Sequence, residues 1–121
     1  MKYMFLVHHD EALFGTFSPA RQQQMLDESV ALTHQLHLAG QYLSASPLLP
    51  ASTAAIVRVR DGKGFATDGP FIETREQIAG YFLIEAKDLD AAVAIAKRVP
   101  GAQIGTVEVR PVKEITGLPE D

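Results

Sequence analysis

Cysteine is absent from the chain, which excludes disulfide bonds, thiol catalysis and thiolate metal sites. Long apolar runs are also missing: no stretch of about 18 apolar residues occurs, so we expect no membrane span. Basic residues are scarce, because Lys and Arg total 11 against 15 Asp and Glu, for a net charge of −4 at pH 7. Without a local Lys/Arg cluster, this balance argues against direct nucleic-acid binding.

The size and composition are those of a single globular domain. The chain has 121 residues, of which 46% are apolar and 21% charged, enough for one hydrophobic core. We place the domain at residues 1–113 and expect a polar, frayed tail at 114–121. The apolar run Tyr3 to Val7 is too short for a signal-peptide core and no cleavage site follows it, so we expect a cytoplasmic protein.

The hydrophobic pattern predicts an alternation of strands and helices. Ser18 and Pro19 are typical of a helix start, and Gly40 stands where a left-handed C-cap belongs. The turn Asp61-Gly62-Lys63-Gly64 predicts a β-hairpin, whereas the Ser- and Pro-containing segment 44–52 predicts a connecting loop. The predicted elements are strand 2–9, helix 19–39, strand 54–60, a return strand 65–67, strand 78–85, helix 89–99 capped by Asp88, and strand 106–112.

This order is β-α-β-(hairpin)-β-α-β, an α+β arrangement of the ferredoxin-like type with an inserted hairpin. Two helices cover only one face of a four-stranded sheet, yet the first and third predicted strands are apolar on both faces. A second copy of the same sheet is the economical cover. We therefore expect a homodimer with a shared, barrel-like interior.

A conspicuous motif precedes the third main strand. It reads Asp68-Gly69-Pro70-Phe71-Ile72-Glu73-Thr74-Arg75-Glu76, followed by Gly80-Tyr81. This run resembles the YCII-related family, and specifically its branch named after the Asp-Gly-Pro-Phe (DGPF) motif. Further similarities are the opening Met1-Lys2-Tyr3-Met4, the hairpin segment 58–62 and the ending Glu108-Val109-Arg110-Pro111.

The resemblance implies a dimeric α+β barrel, in agreement with the pattern-based expectation. It also implies two functional associations. Members of the wider family are proposed to use a His–Asp pair for lyase or dehydrochlorinase-like chemistry, and members of this branch are associated with extracytoplasmic-function sigma factors. Two departures stand out: Gln22, Gln23 and Gln24 occupy the early helix where the family has its proposed His, and His8 stands where the branch often has Tyr.

Asp68 is the first candidate catalytic residue. Its carboxylate could act as a general base or hold an imidazole in one tautomer. The alternative is structural, because an Asp ahead of Gly-Pro is a common turn cap.

His8 and His9 are the candidate acid–base partners. Successive residues of a strand point to opposite faces, so one imidazole would face the helices and the other the dimer interior. The alternatives are a solvated strand end and, with Asp10 and Glu11 adjacent, a metal site; the geometry of neighbouring strand residues disfavours chelation. We predict no metal and no cofactor.

The candidate substrate-binding residues lie on other predicted strands. They are Arg58, Tyr81, Glu108 and Arg110. If Val57 and Val59 pack against the helices, Arg58 faces the partner sheet, where cations suit a carboxylate or phenolate. If these charges face outward, they are ordinary edge-strand charges that discourage aggregation. Tyr81 could orient a ligand or satisfy the dimer interface.

Two functions remain open at this point, beside a third possibility, a structural dimer without a pocket. The first is a cofactor-independent lyase- or hydrolase-like enzyme that acts on a small polar or anionic organic molecule through a His and Asp68. The second is a non-catalytic accessory or sensing protein linked to sigma-factor-dependent transcription, acting through protein contacts.

Overall fold

The computed structural model describes residues 1–119 and has the expected α+β architecture. A four-stranded antiparallel sheet of order β2-β5-β1-β6 forms the centre, and β3 pairs with β4 in a separate two-stranded sheet. The central order is that of a ferredoxin-like fold, which confirms the predicted class. The elements are β1 (Lys2–His9), α1 (Glu11–Gly15), α2 (Pro19–Leu38), β2 (Tyr42–Pro47), β3 (Ala55–Arg60), β4 (Lys63–Asp68), β5 (Gln77–Glu85), α3 (Leu89–Ala96) and β6 (Thr106–Pro111), with short 3₁₀ turns at Ala51–Thr53 and Pro100–Gln103.

The helix boundaries follow the capping residues. Ser18 caps α2 by accepting a hydrogen bond from the backbone N–H of Arg21, and Pro19 opens the helix. Gly40 has a φ of 72°, the left-handed value expected for a residue that ends a helix. Asp88 caps α3, but α3 ends at Ala96 rather than near residue 99. The N-termini of α2 and α3 were thus predicted correctly, whereas the short helix α1 was not predicted.

The second strand of the central sheet was predicted wrongly. Tyr42–Pro47, which the sequence pattern assigned mostly to a loop, forms the edge strand β2 and pairs with β5. Ala55–Arg60, which was expected in the sheet, pairs with β4 instead. Val57 and Val59 are 71% and 62% exposed, so of the two alternatives for this strand the one in which they pack against the helices does not hold.

The core lies between one face of the sheet and the helices α2 and α3. Alternate residues of β1 and β5 supply its sheet side, and Phe5 lies opposite Phe82 in the register with ring centroids 6.3 Å apart. The buried residues are Tyr3, Phe5, Val7, Leu32, Leu36, Phe82, Ile84, Ala86, Ala92, Ile95, Ala96 and Val99. The other sheet face, which carries Met4, Leu6 and Leu83, is partly exposed.

Within residues 1–119, none of the helices combines the length and the apolar character that a membrane crossing requires.

Candidate functional site

A cavity of about 330 Å³ lies between α2 and the helix-facing side of the sheet. The end of β1, the short helix α1, the inner face of α2 and the edge strand β2 all contribute to its wall. Leu26, Val30 and Leu48 line it while remaining 41%, 48% and 51% exposed, which identifies its mouth. This cavity is the enclosed space nearest to the predicted histidines.

His9 is a histidine in the cavity wall. The β1 alternation places it on the same side as Val7, and both residues line the cavity. A β-bulge opposite β5 falls between Val7 and His8, just before this strand end. The ring of Phe14 from α1 stacks on the His9 imidazole, with centroids 4.7 Å apart and an interplanar angle of 25°.

Burial lowers the pKa of His9 below its ordinary value near 6.5. Three carboxylates, Glu11, Asp10 and Glu76, act in the opposite direction because their negative charge favours the imidazolium. Since burial is the larger effect, His9 is neutral at physiological pH, with a free lone pair that can accept a proton.

Each of these carboxylates also has a structural contact. Asp10 caps α1 by accepting from the backbone N–H of Ala12 at 3.0 Å and of Leu13 at 3.2 Å. Its pKa is lowered, first by the hydrogen bond from Leu13 and further by Arg75, whose Nε lies 3.4 Å from Asp10 Oδ2.

Glu11 and Glu76 connect the surroundings of His9 to two other segments. Glu11 accepts a 2.9 Å hydrogen bond from the backbone N–H of Ala51. Glu76 Oε1 accepts from Thr106 Oγ1 at 2.9 Å. The first contact therefore joins α1 to the loop after β2, and the second joins the residue before β5 to the start of β6.

Gln22 fixes α1 against α2. Its side-chain amide donates to the backbone carbonyls of Phe14 at 3.1 Å and Phe17 at 3.2 Å, and it also lines the cavity. These bonds hold the residue that stacks on His9. The sequence singled out residues 22–24 only through the family resemblance, and no pattern pointed to Phe14.

His8, Glu108 and Arg110 lie together on the opposite face of the sheet. His8 Nε2 is 3.5 Å from Glu108 Oε1, and the Arg110 guanidinium pairs with the other oxygen of the same carboxylate. The hydrogen bond from Arg110 is the main reason that the pKa of Glu108 is lowered, with a smaller contribution from His8. Tyr81 shares this face by register, and its hydroxyl is 3.3 Å from Ser44 Oγ.

Asp68 and Arg58 lie on the hairpin β3-β4. Asp68 pairs with Ala55 at the base of the hairpin and is exposed, and within residues 1–119 its side chain accepts no hydrogen bond. Arg58 lies over the ring of Phe71 at 5.3 Å from its centroid. Neither residue lines the cavity, and the pairing of Asp68 with a His stays a prediction.

In the part of the chain that the structure describes, no three His, Asp or Glu side chains are grouped so that they could hold a metal ion.

A family model for the YCII-related domain matches residues 1–116. The chain belongs to the YCII-related family. An uncharacterized protein of Rhizobium meliloti (strain 1021) is 32% identical over 114 residues, which cover 93% of this chain and 92% of that protein. Assignment of this YCII-related chain to the DGPF branch stays a prediction based on the motif at residues 68–76.

The geometry of this YCII-related domain thus divides the predicted site residues into three groups. His9 lies in the cavity wall, His8, Glu108 and Arg110 lie together on the other sheet face, and Asp68 and Arg58 lie on the hairpin. Tyr81 belongs to the second group by register and also lines the cavity. Their roles stay predictions.

Proposed function

We propose that this YCII-related protein binds a small organic molecule in the cavity between α2 and the sheet, and that His9 exchanges a proton with it. The observation that carries this proposal is a stacked, partly buried imidazole in the wall of a cavity of about 330 Å³. Ligand sites are typically concave, mostly apolar and supplied with a few polar groups, and a perturbed pKa in such a site is typical of function.

The chemistry that a neutral His9 supports is proton abstraction. In an elimination, the imidazole takes a proton from carbon, the C–H electron pair forms the double bond, and the leaving group on the adjacent carbon departs with its own pair. In a hydrolysis, the same imidazole takes a proton from water while the water oxygen bonds to the electrophilic carbon of the substrate; the bond from that carbon to the leaving group then breaks, and the imidazolium returns the proton to the departing group. Both reactions begin at one nitrogen of His9 and need no cofactor.

Carboxylate assistance to His9 is assigned to its near neighbours rather than to Asp68. Glu11, Asp10 and Glu76 are the negative groups that act on the His9 pKa, and they would stabilise the imidazolium formed during turnover. We therefore assign no step to Asp68 and expect Asp68→Asn to retain activity.

We further propose that the protein is a homodimer, joined through the sheet face opposite the helices. Met4, Leu6 and Leu83 lie on this face between core residues of the same strands and are partly exposed. A second copy would bury them and enclose the His8–Glu108–Arg110 cluster. Light scattering coupled to gel filtration tests this: Leu6→Lys should yield monomers, whereas Leu38→Lys, on the exposed end of α2, should not.

The experiment on the cavity is a ligand screen by thermal shift followed by product analysis, because a ligand that binds only the folded state raises the melting temperature. For any substrate found, His9→Gln should lower kcat by at least about 100-fold, the usual lower range for loss of a general base. The matched control His8→Gln removes the adjacent imidazole on the other face and should retain most of the activity. Loss in His8→Gln but not in His9→Gln would refute the proposal.

A second candidate function is the accessory role that the sigma-factor association suggests. The hairpin β3-β4 favours it, because both strands are almost entirely exposed and carry Val57, Val59 and Phe65 on the surface. The test is co-purification with a co-expressed extracytoplasmic-function sigma factor. Wild-type protein should retain the factor and Val57→Asp should lose it. If neither protein retains the factor, the accessory role is refuted and the cavity function is the remaining proposal.

A further inference from the structure

We infer that the cavity selects an uncharged, predominantly apolar molecule of about two fused rings that carries a single hydrogen-bond donor, and that it rejects organic anions and cations. This inference rests on the proposed function, because it assigns the ligand class of the same cavity.

The first argument is the charge of the wall. None of the residues that line the cavity is Asp, Glu, Lys or Arg, so His9 is the only wall residue that could carry charge. Burial keeps this imidazole neutral. An organic anion would lose its water shell without gaining a counter-charge. A cation would lose its water shell with no carboxylate in the wall to pair with it, because Glu11, Asp10 and Glu76 act on His9 from outside the wall.

The second argument is that most polar side chains of the wall are already hydrogen-bonded within the protein. Ser29 Oγ donates to the Met25 carbonyl at 2.9 Å, and Thr33 Oγ1 donates to the Val30 carbonyl at 2.6 Å. Gln22 and Ser46 likewise donate to backbone carbonyls, and the Tyr81 hydroxyl is within hydrogen-bond distance of Ser44. These groups therefore present few free donors to a ligand.

Two polar groups of the wall remain without a hydrogen bond among the residues that the structure describes. They are the His9 imidazole and the Tyr42 hydroxyl. The imidazole is the better acceptor, and the stacked Phe14 ring shields it from water. We therefore infer that the ligand's O–H donates a hydrogen bond to a ring nitrogen of His9. The proton stays on the ligand oxygen in this bound state.

The third argument is size. The cavity volume of about 330 Å³ is about twice that of an engineered apolar cavity of roughly 150 Å³ that binds benzene. The wall around this volume is mainly aliphatic and aromatic, supplied by residues such as Met25, Val30 and Phe82. A flat body of about two rings fits both the volume and the wall.

The experiment uses four probes on one naphthalene scaffold: 2-naphthylmethanol, 2-methylnaphthalene, 2-naphthoate and 2-naphthylmethylamine. Their affinities for the full-length protein are measured by calorimetry at pH 7.5. We expect the alcohol to bind about 3- to 10-fold more tightly than the methyl compound, the usual effect of one neutral hydrogen bond. We expect both charged probes to bind at least about 10-fold more weakly than the alcohol.

Three variants locate the binding. Ser29→Phe fills the cavity from α2 and should abolish binding of the alcohol. His9→Phe keeps a ring against Phe14 but removes the acceptor, so it should equalise the alcohol and the methyl compound. Tyr42→Phe is the matched control and should preserve the alcohol's advantage.

The outcomes separate this inference from the proposed function. Equal or tighter binding of naphthoate or the amine, blocked by Ser29→Phe, would overturn the ligand class while retaining the cavity as the binding site. An alcohol preference lost in Tyr42→Phe but kept in His9→Phe would overturn the assignment to His9. If none of the four probes binds the wild-type protein, the ligand class is overturned, whereas the cavity function is decided separately by the thermal-shift screen and the His9→Gln variant.

Discussion

The imidazole of His9 and the ring of Phe14 are stacked with their centroids 4.7 Å apart. The contact joins the end of β1 to α1, and Phe17 extends it with a ring centroid 5.8 Å from that of Phe14. Because α1 is capped by Asp10 and its C-terminal carbonyls are bound by Gln22, the Phe14 ring is held in place over the imidazole. The stack accounts for part of the burial that keeps His9 neutral.

Phe14→Ala should therefore raise the pKa of His9 toward its ordinary value, because the imidazole gains water while Glu11, Asp10 and Glu76 continue to favour its charged form. The measurement is an NMR titration of the His9 ring protons. Phe65→Ala removes a ring of the same size from the exposed hairpin and is the control. An unchanged His9 titration in Phe14→Ala would show that the stack does not contribute to the lowered pKa.

The lowered pKa of His9 also predicts a pH dependence of stability. As the pH falls below about 6.5, the unfolded chain takes up a proton at this position before the folded protein does. The free energy of unfolding of the wild type therefore decreases through this window, whereas His9→Gln lacks this contribution.

Urea unfolding of both proteins between pH 8 and pH 5 measures the effect. The difference in unfolding free energy between wild type and His9→Gln should be constant above about pH 7.5 and should shift against the wild type as the pH falls. Taking the difference cancels the titration of groups common to both proteins. A difference that stays constant down to pH 5 would contradict the lowered pKa.

The fold class was predictable from sequence because it depends on local patterns. Ser18 and Asp88 start helices wherever they stand before a suitable run, and an Asp-Gly pair makes a turn. Which segment forms the edge strand beside β5 could not be predicted from such local patterns. Tyr42–Pro47 contains two Ser and a Pro, which are poor strand formers, yet pairing with β5 makes it a strand and its Pro lies at the end of an edge, where it is tolerated.

Ala55–Arg60 illustrates the opposite error. Its alternating Val and Arg residues predict a strand, and a strand forms, but alternation does not identify the pairing partner. The same limit applies to the candidate site. Alternation along β1 correctly predicts that His8 and His9 lie on opposite faces. The contact between Phe14 and His9 depends on the direction in which the chain turns at Asp10, and a periodic sequence pattern does not predict that direction.

The α2 side of the core should be sensitive to Leu36→Ala. Leu36 is 1% exposed and lies in the main cluster with Phe5 and Ile84, so its truncation removes apolar burial and leaves a void. We expect a loss of about 2–5 kcal/mol in the free energy of unfolding, measured by urea denaturation. Leu38→Ala, two residues later on the same helix, is the control: Leu38 is 88% exposed, and its truncation should change stability by less than about 0.5 kcal/mol.

Gly105 is the position where the start of β6 comes closest to the histidine end of β1. A Cβ at this residue would collide with the backbone carbonyl oxygen of His8 and would lie 3.1 Å from the Cα of His9. Because the obstacle is backbone, Gly105→Ala should displace the strand end and cost about 1–3 kcal/mol of stability. The shift would also move the His9 imidazole, so the NMR signals of His9 should change.

Gly64→Ala, where a Cβ meets nothing within 4 Å, is the matched control and should affect neither stability nor the His9 signals by a comparable amount. Equal effects of the two substitutions would show that the close approach of β6 to His8 does not position this end of the strand.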